Sequence, residues 1–225
     1  METLQHKDYW QKSVPVLIIG FAIWGFTSFF FESLIMNSPP SLFIFLIVVY
    51  FAVWFGVIAL TFSNHNVPAM CLFYLSSFIT GLITTPIFNI ILAQFGTVGA
   101  ARLFTAVSMV SIASLTGAFF FGAWVKKRVT EDVELHWGKA LLIGGLLLLI
   151  IEPTIAIIYG GDLILFWTSF IVLIWMYAAG IYYGMALDEE IERNNWMYFV
   201  LSYFLTLINI IIRLLYIISA LTKNN

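Results

Sequence analysis

Four charged residues interrupt the long apolar stretches of this sequence: Glu32, Arg102, Glu152 and Arg213. A charge inside a lipid-spanning helix costs a few kcal/mol on insertion scales, so each one needs a partner, water or a function. Residues of this kind pair with an opposite charge, or they mark a path for ions or protons. Two acids and two bases in the apolar part of one chain make mutual pairing the first hypothesis.

A polar face leads up to Arg213 in the last apolar stretch. Thr206, Asn209 and Arg213 recur at helical spacing, so they share one side of a helix. Lipid cannot satisfy a polar stripe, so we expect this side to face the interior of a helix bundle and the last helix to lie near its centre. The alternative is ordinary hydrogen bonding between helices, which is common and modest in energy.

An acidic run precedes the last apolar stretch and consists of Asp188, Glu189, Glu190 and Glu192. Such a run is typical of a solvated loop. A weak cation site or an inner gate is the sharper interpretation.

Signatures of enzymes are absent from the sequence, which has no G-x-S-x-G, no H-E-x-x-H and no phosphate loop. His6, His65 and His136 fall in terminal or loop segments and are too scattered for a metal site. The sequence therefore predicts no enzyme, no cofactor and no bound metal.

Composition places the chain in a membrane. Hydrophobic residues make up 62% of the 225 residues and charged residues only 10%, whereas soluble domains carry about 25% charged residues. The net charge of −2 gives no basic field for nucleic acid, and the single cysteine, Cys71, excludes an internal disulfide. A chain this apolar needs lipid as part of its solvent, so we expect the bilayer to be its first partner.

Seven segments are long enough to cross a bilayer, which takes about 20 mostly apolar residues each. They cover residues 14–31, 41–62, 67–88, 101–125, 140–159, 163–187 and 197–221. The third segment is ambiguous because Pro86 either kinks a longer helix or ends it, and the count then becomes six or eight. The predicted fold is an all-α, seven-helix membrane bundle in which residues 1–225 form one transmembrane domain.

Basic residues predict the orientation of these spans. One side of the membrane receives Lys7, Lys12, Lys126, Lys127, Arg128, Lys139 and Arg193, against Lys223 and, marginally, Arg102 on the other. The same side collects the boundary aromatics Tyr9, Trp10, Trp124, Trp137, Trp196 and Tyr198. We therefore expect the N-terminus in the cytoplasm and the C-terminus outside. Because the sequence shows no long loops and no internal-membrane retention signals, we expect a bacterial cell membrane as the location.

This orientation places all four intramembrane charges in the outer half of the bilayer. Glu152 and Arg213 match in depth, and Arg213 lies about 6 Å past the middle of its span. Pro153 would free a backbone carbonyl as a further acceptor for the guanidinium. Such a pair either only fixes helix packing or belongs to an ion or proton path. Glu32 and Arg102 either pair or extend to the interface.

Small residues predict close helix contacts. Gly180 and Gly184 form a G-x-x-x-G pattern, and Ala118 with Gly122 is a looser pair of the same spacing. Both patterns allow helices to approach closely, either within one chain or between two copies.

Two short segments resemble the Bax inhibitor-1 family, also known by its transmembrane Bax inhibitor motif. Residues 201–210 read Leu-Ser-Tyr-Phe-Leu-Thr-Leu-Ile-Asn-Ile and are similar to the family's closing signature. Residues 78–87 read Phe-Ile-Thr-Gly-Leu-Ile-Thr-Thr-Pro-Ile and are similar to its third-span pattern of Gly followed by Pro-Ile. Seven spans, a length near 220 residues and a basic loop after the fourth span are also similar.

The resemblance implies a calcium or proton leak, which in the family depends on one aspartate near the end of the sixth span and one in the seventh. The seventh-span position matches Thr206 here. The sixth-span position falls at Tyr182 or Tyr183 in an ungapped comparison, or at Asp188 if the loop is shorter. An acidic position that the family often carries in the fourth span matches Thr105.

These departures weaken the implied ion site. Without two close carboxylates there is no shared proton and no anionic cage for calcium. Thr206 and Asn209 offer only neutral oxygens, and Arg213 one turn away would repel a cation. Two functions remain open: an ion leak with an altered acid site, and a non-conducting membrane regulator that binds other membrane proteins.

Overall fold

The structure, a computed structural model, describes residues 2–159 and 162–223, with the side chains of residues 2–5, 131, 142, 146, 149–159, 162–165 and 223 excepted. The described residues are 92% helical, and no strand occurs among them. The helices are α1 (Glu2–Phe30), α2 (Glu32–Met36), α3 (Pro40–Phe62), α4 (Asn66–Lys126), α5 (Glu131–Tyr159), α6 (Asp162–Met185), α7 (Leu187–Glu192) and α8 (Trp196–Lys223).

Five apolar segments of these helices are long enough to cross a membrane: His6–Phe30, Pro40–Phe62, Asn66–Lys126, Phe166–Met185 and Trp196–Thr222. Their outer faces carry large apolar side chains that lipid would cover, such as Phe55 at 69% and Phe62 at 76% exposure. The predicted all-α class is confirmed, and the helices fit a multi-pass membrane protein. In α8, 44% of the most apolar segment is buried, against 17% in α3, so α8 is the more enclosed of these two helices.

Helix α4 joins the third and fourth predicted spans and contains 61 residues. Pro86 lies inside it, so this proline does not end the third span. Its backbone leaves the helical region at Gly96, where φ is 67° and ψ is 171°, and two helical segments meet there. Glycine adopts this conformation without a Cβ clash. The interval between the third and fourth predicted spans, residues 89–100, is therefore helical except at Gly96.

The hydrophilic stretch predicted as a loop at residues 126–137 is largely helical. Lys126 ends α4 and Glu131 begins α5, so only residues 127–130 connect the two helices. Within the connection, the backbone N–H of Arg128 donates to the Val125 carbonyl over 2.8 Å and closes the last turn of α4. The acidic residues at the start of α5 favour a helix there because they complement its N-terminal partial charge.

The chain forms two compact units, of which the first comprises Met1–Ala93 and Glu189–Phe204. Its core is aromatic: the ring of Phe204 lies 4.8 Å from Phe73, 5.0 Å from Phe21 and 6.5 Å from Trp54, measured between centroids. A Cβ at position 20 would lie 2.5 Å from the Phe73 ring, so the close contact requires glycine there. The start of α8 thus supplies the centre of this unit.

The second unit comprises Gln94–Asp188 and Leu205–Asn225. In it α4 and α6 touch backbone to backbone: a Cβ added to Gly122 would meet the Ile181 carbonyl oxygen, and one added to Gly184 would meet the Phe119 carbonyl oxygen. The two small-residue patterns of the sequence therefore pack on each other inside one chain.

Candidate functional site

Two short turns of the first unit have the same backbone conformation. In the turn between α3 and α4, Asn64 has φ 56° and the His65 N–H donates to the Leu60 carbonyl over 2.8 Å. In the turn between α7 and α8, Asn194 has φ 53° and the Asn195 N–H donates to the Glu190 carbonyl over 2.9 Å. Both are Schellman turns, in which asparagine occupies the left-handed position that glycine usually takes.

Asparagine side chains connect these turns. The Asn64 amide donates to the Arg193 carbonyl and the Asn66 amide to the Asn194 carbonyl, each over 3.1 Å. The Asn66 side-chain oxygen accepts the Met197 N–H over 3.2 Å. The turns therefore recognise each other through backbone groups. We name the whole group the asparagine cluster; its members are Tyr9, Thr61, Asn64, Asn66, Glu190, Arg193, Asn194, Asn195 and Met197.

Glu190 is the charged residue at the centre of the asparagine cluster. It is 9% exposed and is the only buried charged residue among those whose side chains the structure describes. One carboxylate oxygen accepts the Asn195 amide over 2.8 Å, and the other accepts the Arg193 guanidinium over 3.4 Å. The first bond is short and buried, whereas the Arg193 side chain is 67% exposed. Asn195 is therefore the main partner of the carboxylate.

Asn195 also ties the cluster to two other helices. Its amide nitrogen donates to the Thr61 carbonyl at the end of α3 over 3.2 Å, and its carbonyl accepts the Tyr9 hydroxyl of α1 over 3.3 Å. The Asn195 Oδ1 and Thr61 Oγ1 atoms are buried and have no hydrogen-bond partner among the described residues. These two oxygens can accept further hydrogen bonds at the edge of the cluster.

The acidic run predicted as a solvated loop is instead the short helix α7. The loop interpretation is wrong for Glu190, which is buried, whereas Asp188, Glu189 and Glu192 are exposed. Glu190 is bound by Asn195, which in turn donates to the Thr61 carbonyl of α3, and the local sequence does not reveal this link.

The polar face of α8 is partly buried. Thr206 is 2% exposed, and Asn209 and Arg213 are half-buried. The Asn209 amide donates to the Leu205 carbonyl of its own helix over 2.8 Å. This bond lies within α8 and involves no second helix.

Two further predicted site residues, Glu32 and Arg102, are not buried. Arg102 is exposed and Glu32 half-buried at the start of α2. The side chains of Glu152 and Pro153 lie outside the described residues, so the pair of Glu152 with Arg213 stays a prediction. Across the part of the chain whose side chains are described, no three His, Cys, Asp or Glu residues are grouped as a metal site would require.

A second polar cluster, not predicted from the sequence, joins the apolar stretches of α1 and α4. The Trp24 indole N–H donates to the Thr84 hydroxyl over 3.0 Å, and the Ser28 hydroxyl lies 3.1 Å from the same oxygen. Ser28 also donates to the Gly81 carbonyl over 3.2 Å. Ser28 and Thr84 carry hydroxyls in two apolar helices, where lipid offers no hydrogen-bond partner. Such residues in predicted spans are a sequence signal for a polar contact between helices.

A third polar contact lies in the second unit. The Gln94 side chain donates to the Ser219 carbonyl over 3.1 Å and to the Thr222 hydroxyl over 2.6 Å. The Ser219 hydroxyl donates back to the Gln94 side-chain oxygen over 2.6 Å. Gln94, two residues before the kink at Gly96, is thus bound to the end of α8.

The structure is all-helical in its described part and compatible with a multi-pass membrane protein, and among the described side chains the buried carboxylate of Glu190 lies next to two asparagine turns. No protein-family model matches the chain, and no curated protein matches it in sequence.

Proposed function

We propose that this protein is a seven-span membrane protein of the Bax inhibitor-1 type and forms a cation leak whose inner end is closed by the asparagine cluster. The observation that carries the proposal is the buried Glu190 carboxylate, held by Asn195 and Arg193. Buried ionisable residues in membrane proteins are expensive and mark ion pathways or gates. The Bax inhibitor-1 type rests on the similarity of residues 78–87 and 201–210.

The asparagine cluster supports the seven-span count by parity. Hydrogen bonds join the turn after α3 to the turn before α8, so the two turns belong on the same side of the membrane. The chain between them must then cross the membrane an even number of times. If α4, α5 and α6 each crossed the membrane once, the number of crossings between the turns would be three, which is odd. The 61 residues of α4, at 1.5 Å each, reach about 90 Å, or three times the roughly 30 Å of hydrocarbon. We therefore assign two crossings to α4, divided near Gly96, which makes four.

The Gln94 contact supports the same assignment from the second unit. Gln94 lies close to the division of α4, and Ser219 and Thr222 lie at the end of α8. In a seven-span topology with the N-terminus inside, both places are on the outer face, so their hydrogen bonds are allowed. In an undivided α4, Gln94 would lie near the middle of the helix and not at a membrane face.

Labelling of single cysteines tests this topology. In a Cys71→Ser background, we expect cysteines at Ser63 and Glu192 to react with a membrane-impermeant maleimide only after the cells are permeabilised. A cysteine at Thr222 should react in intact cells. If Ser63 and Glu192 reacted from opposite sides, the parity argument and the seven-span count would be wrong.

Glu190 is suited to close a path because its partners come from neighbouring elements. Asn195 connects the carboxylate to Thr61 of α3, and its backbone connects to Tyr9 of α1. Separation of these helix ends would open the end of the path and expose several carbonyl oxygens, which are ligands that hard cations accept. The closed form is stabilised by hydrogen bonds of about 1 kcal/mol each.

Flux through liposomes tests the leak. Wild-type protein should conduct calcium or protons above protein-free liposomes between pH 6 and 8. Glu190→Gln removes the charge that Asn195 and Arg193 hold, so the flux should rise roughly fivefold, the equivalent of about 1 kcal/mol. The control is Glu192→Gln, an exposed acid on the same helix, which should leave the flux unchanged. Absence of wild-type flux would refute the leak, and equal flux in both variants would refute closure by Glu190.

The second candidate function is a non-conducting regulator that binds other membrane proteins. It is favoured by the last helix: Thr206 occupies the position of the family's acid, and the Asn209 amide is bound to its own helix. Neither residue offers an anionic group to a cation.

A further inference from the structure

The connection between α4 and α5 presents a basic surface at the end of an apolar helix face. Phe120, Phe121 and Trp124 are 70%, 49% and 48% exposed on α4. Trp124 stacks on Phe121 with a centroid distance of 5.6 Å and is the last of this row. Tryptophan prefers the level of the lipid headgroups, so the connection that follows lies at that level.

Lys126 holds the connection in place. Its ammonium pairs with the Glu134 carboxylate of α5, and both side chains are largely buried, at 25% and 15% exposure. The pair neutralises the Glu134 carboxylate beside the connection. Asp132 is the other acid of the α5 start whose side chain is described, and it is exposed.

Arg128 is fixed by an aromatic ring. Its guanidinium carbon lies 3.9 Å from the centroid of the Trp124 ring, within the range of a cation–π contact. A guanidinium stacked on a ring keeps its N–H edge available, and that edge matches two oxygens of one phosphate. The neighbouring Lys127 is exposed and adds a second cation.

We propose that Lys127 and Arg128, positioned by Trp124, form a binding site for the headgroup of an anionic phospholipid. The apolar row from Phe120 to Trp124 would contact the acyl chains, and the two cations would bind the phosphate. An anionic lipid would contact both the cations and the apolar row, whereas a small soluble phosphate would contact only the cations. The combination therefore fits a lipid and not a free anion. The site is independent of the proposed leak.

Native mass spectrometry with added phosphatidylglycerol tests this site, with phosphatidylcholine as the neutral reference. Wild-type protein should retain phosphatidylglycerol preferentially. The double variant K127Q/R128Q should lower its apparent affinity about tenfold or more, since each cation near a membrane surface contributes substantially to attraction of anionic lipid. The matched control K7Q/K12Q removes two charges from the same predicted side and should change the affinity less than twofold. Trp124→Leu keeps both charges and should lower the affinity about threefold by releasing Arg128.

Three outcomes would overturn the proposal. K127Q/R128Q could bind phosphatidylglycerol like wild type. Both double variants could lose affinity equally, which would show a diffuse charge effect. Millimolar glycerol 3-phosphate could displace the lipid, which would identify a site for free phosphate. A size-exclusion profile of K127Q/R128Q that matches wild type ensures that a loss of affinity does not reflect unfolding.

Discussion

Replacing Gly184 with alanine is expected to destabilise the protein by about 3 kcal/mol, the upper part of the range for overpacked cores. The added methyl group would meet the Phe119 carbonyl oxygen and the Cα of the same residue. These atoms belong to the backbone of α4, so no side chain can rotate away. Helices α4 and α6 would have to separate along the whole contact, and Gly122→Ala should act in the same way because its methyl group would meet the Ile181 carbonyl.

Gly117→Ala is the matched control for this prediction. Gly117 lies on the same helix as Gly122, and a Cβ there has no atom within 4 Å. Alanine is the better helix former, so Gly117→Ala should leave stability unchanged or raise it by up to about 1 kcal/mol. The measurement is the fraction of monodisperse protein in size-exclusion chromatography after heating in detergent. Equal midpoints for Gly184→Ala and Gly117→Ala would show that α4 and α6 do not touch at these glycines.

Asn195→Leu should cost about 3 kcal/mol, because it leaves a buried carboxylate without its main hydrogen-bond donor. The Asn195 amide donates to both Glu190 and the Thr61 carbonyl, and leucine replaces neither bond. Arg193 is too exposed to compensate fully. The comparable substitution Asn209→Leu removes an amide bound within its own helix and should cost less than about 1 kcal/mol.

A double-mutant cycle isolates the contact between Glu190 and Asn195. Once Asn195 is leucine, Glu190→Leu should restore part of the lost stability, because the unpaired charge is gone. The thermal unfolding midpoints of the four proteins give the coupling between the two residues. Additive effects would mean that the carboxylate and the amide do not interact in the folded protein.

Sequence reasoning finds the apolar helices because the length and composition of a membrane span are local properties. It also marks the two turns, since Asn64 and Asn194 are turn residues. Sequence reasoning fails where the conformation of a segment depends on residues that are distant in the chain. Pro86 remains inside α4, where membrane helices tolerate proline because other groups satisfy the freed carbonyl.

Glu190 shows the same limit at the candidate site. Its neighbours Asp188, Glu189 and Glu192 are exposed acids, so the local pattern predicts a solvated loop. The burial of Glu190 comes from the end of α3 through Asn195 and Thr61. Local hydropathy cannot distinguish one acid of the run from the other three, and only the pairing of the two turns does so.

The pairing of the two turns also constrains how the protein is made. Their hydrogen bonds join residues 128, 129 and 131 positions apart in the chain. At about 5–20 residues per second, translation of this interval takes roughly 6–26 s. During that time the turn after α3 has no partner, and the first unit lacks the segment that supplies Phe204 to its core. The first unit therefore completes its folding only after the ribosome has made the start of the last helix, although most of its residues are synthesised first.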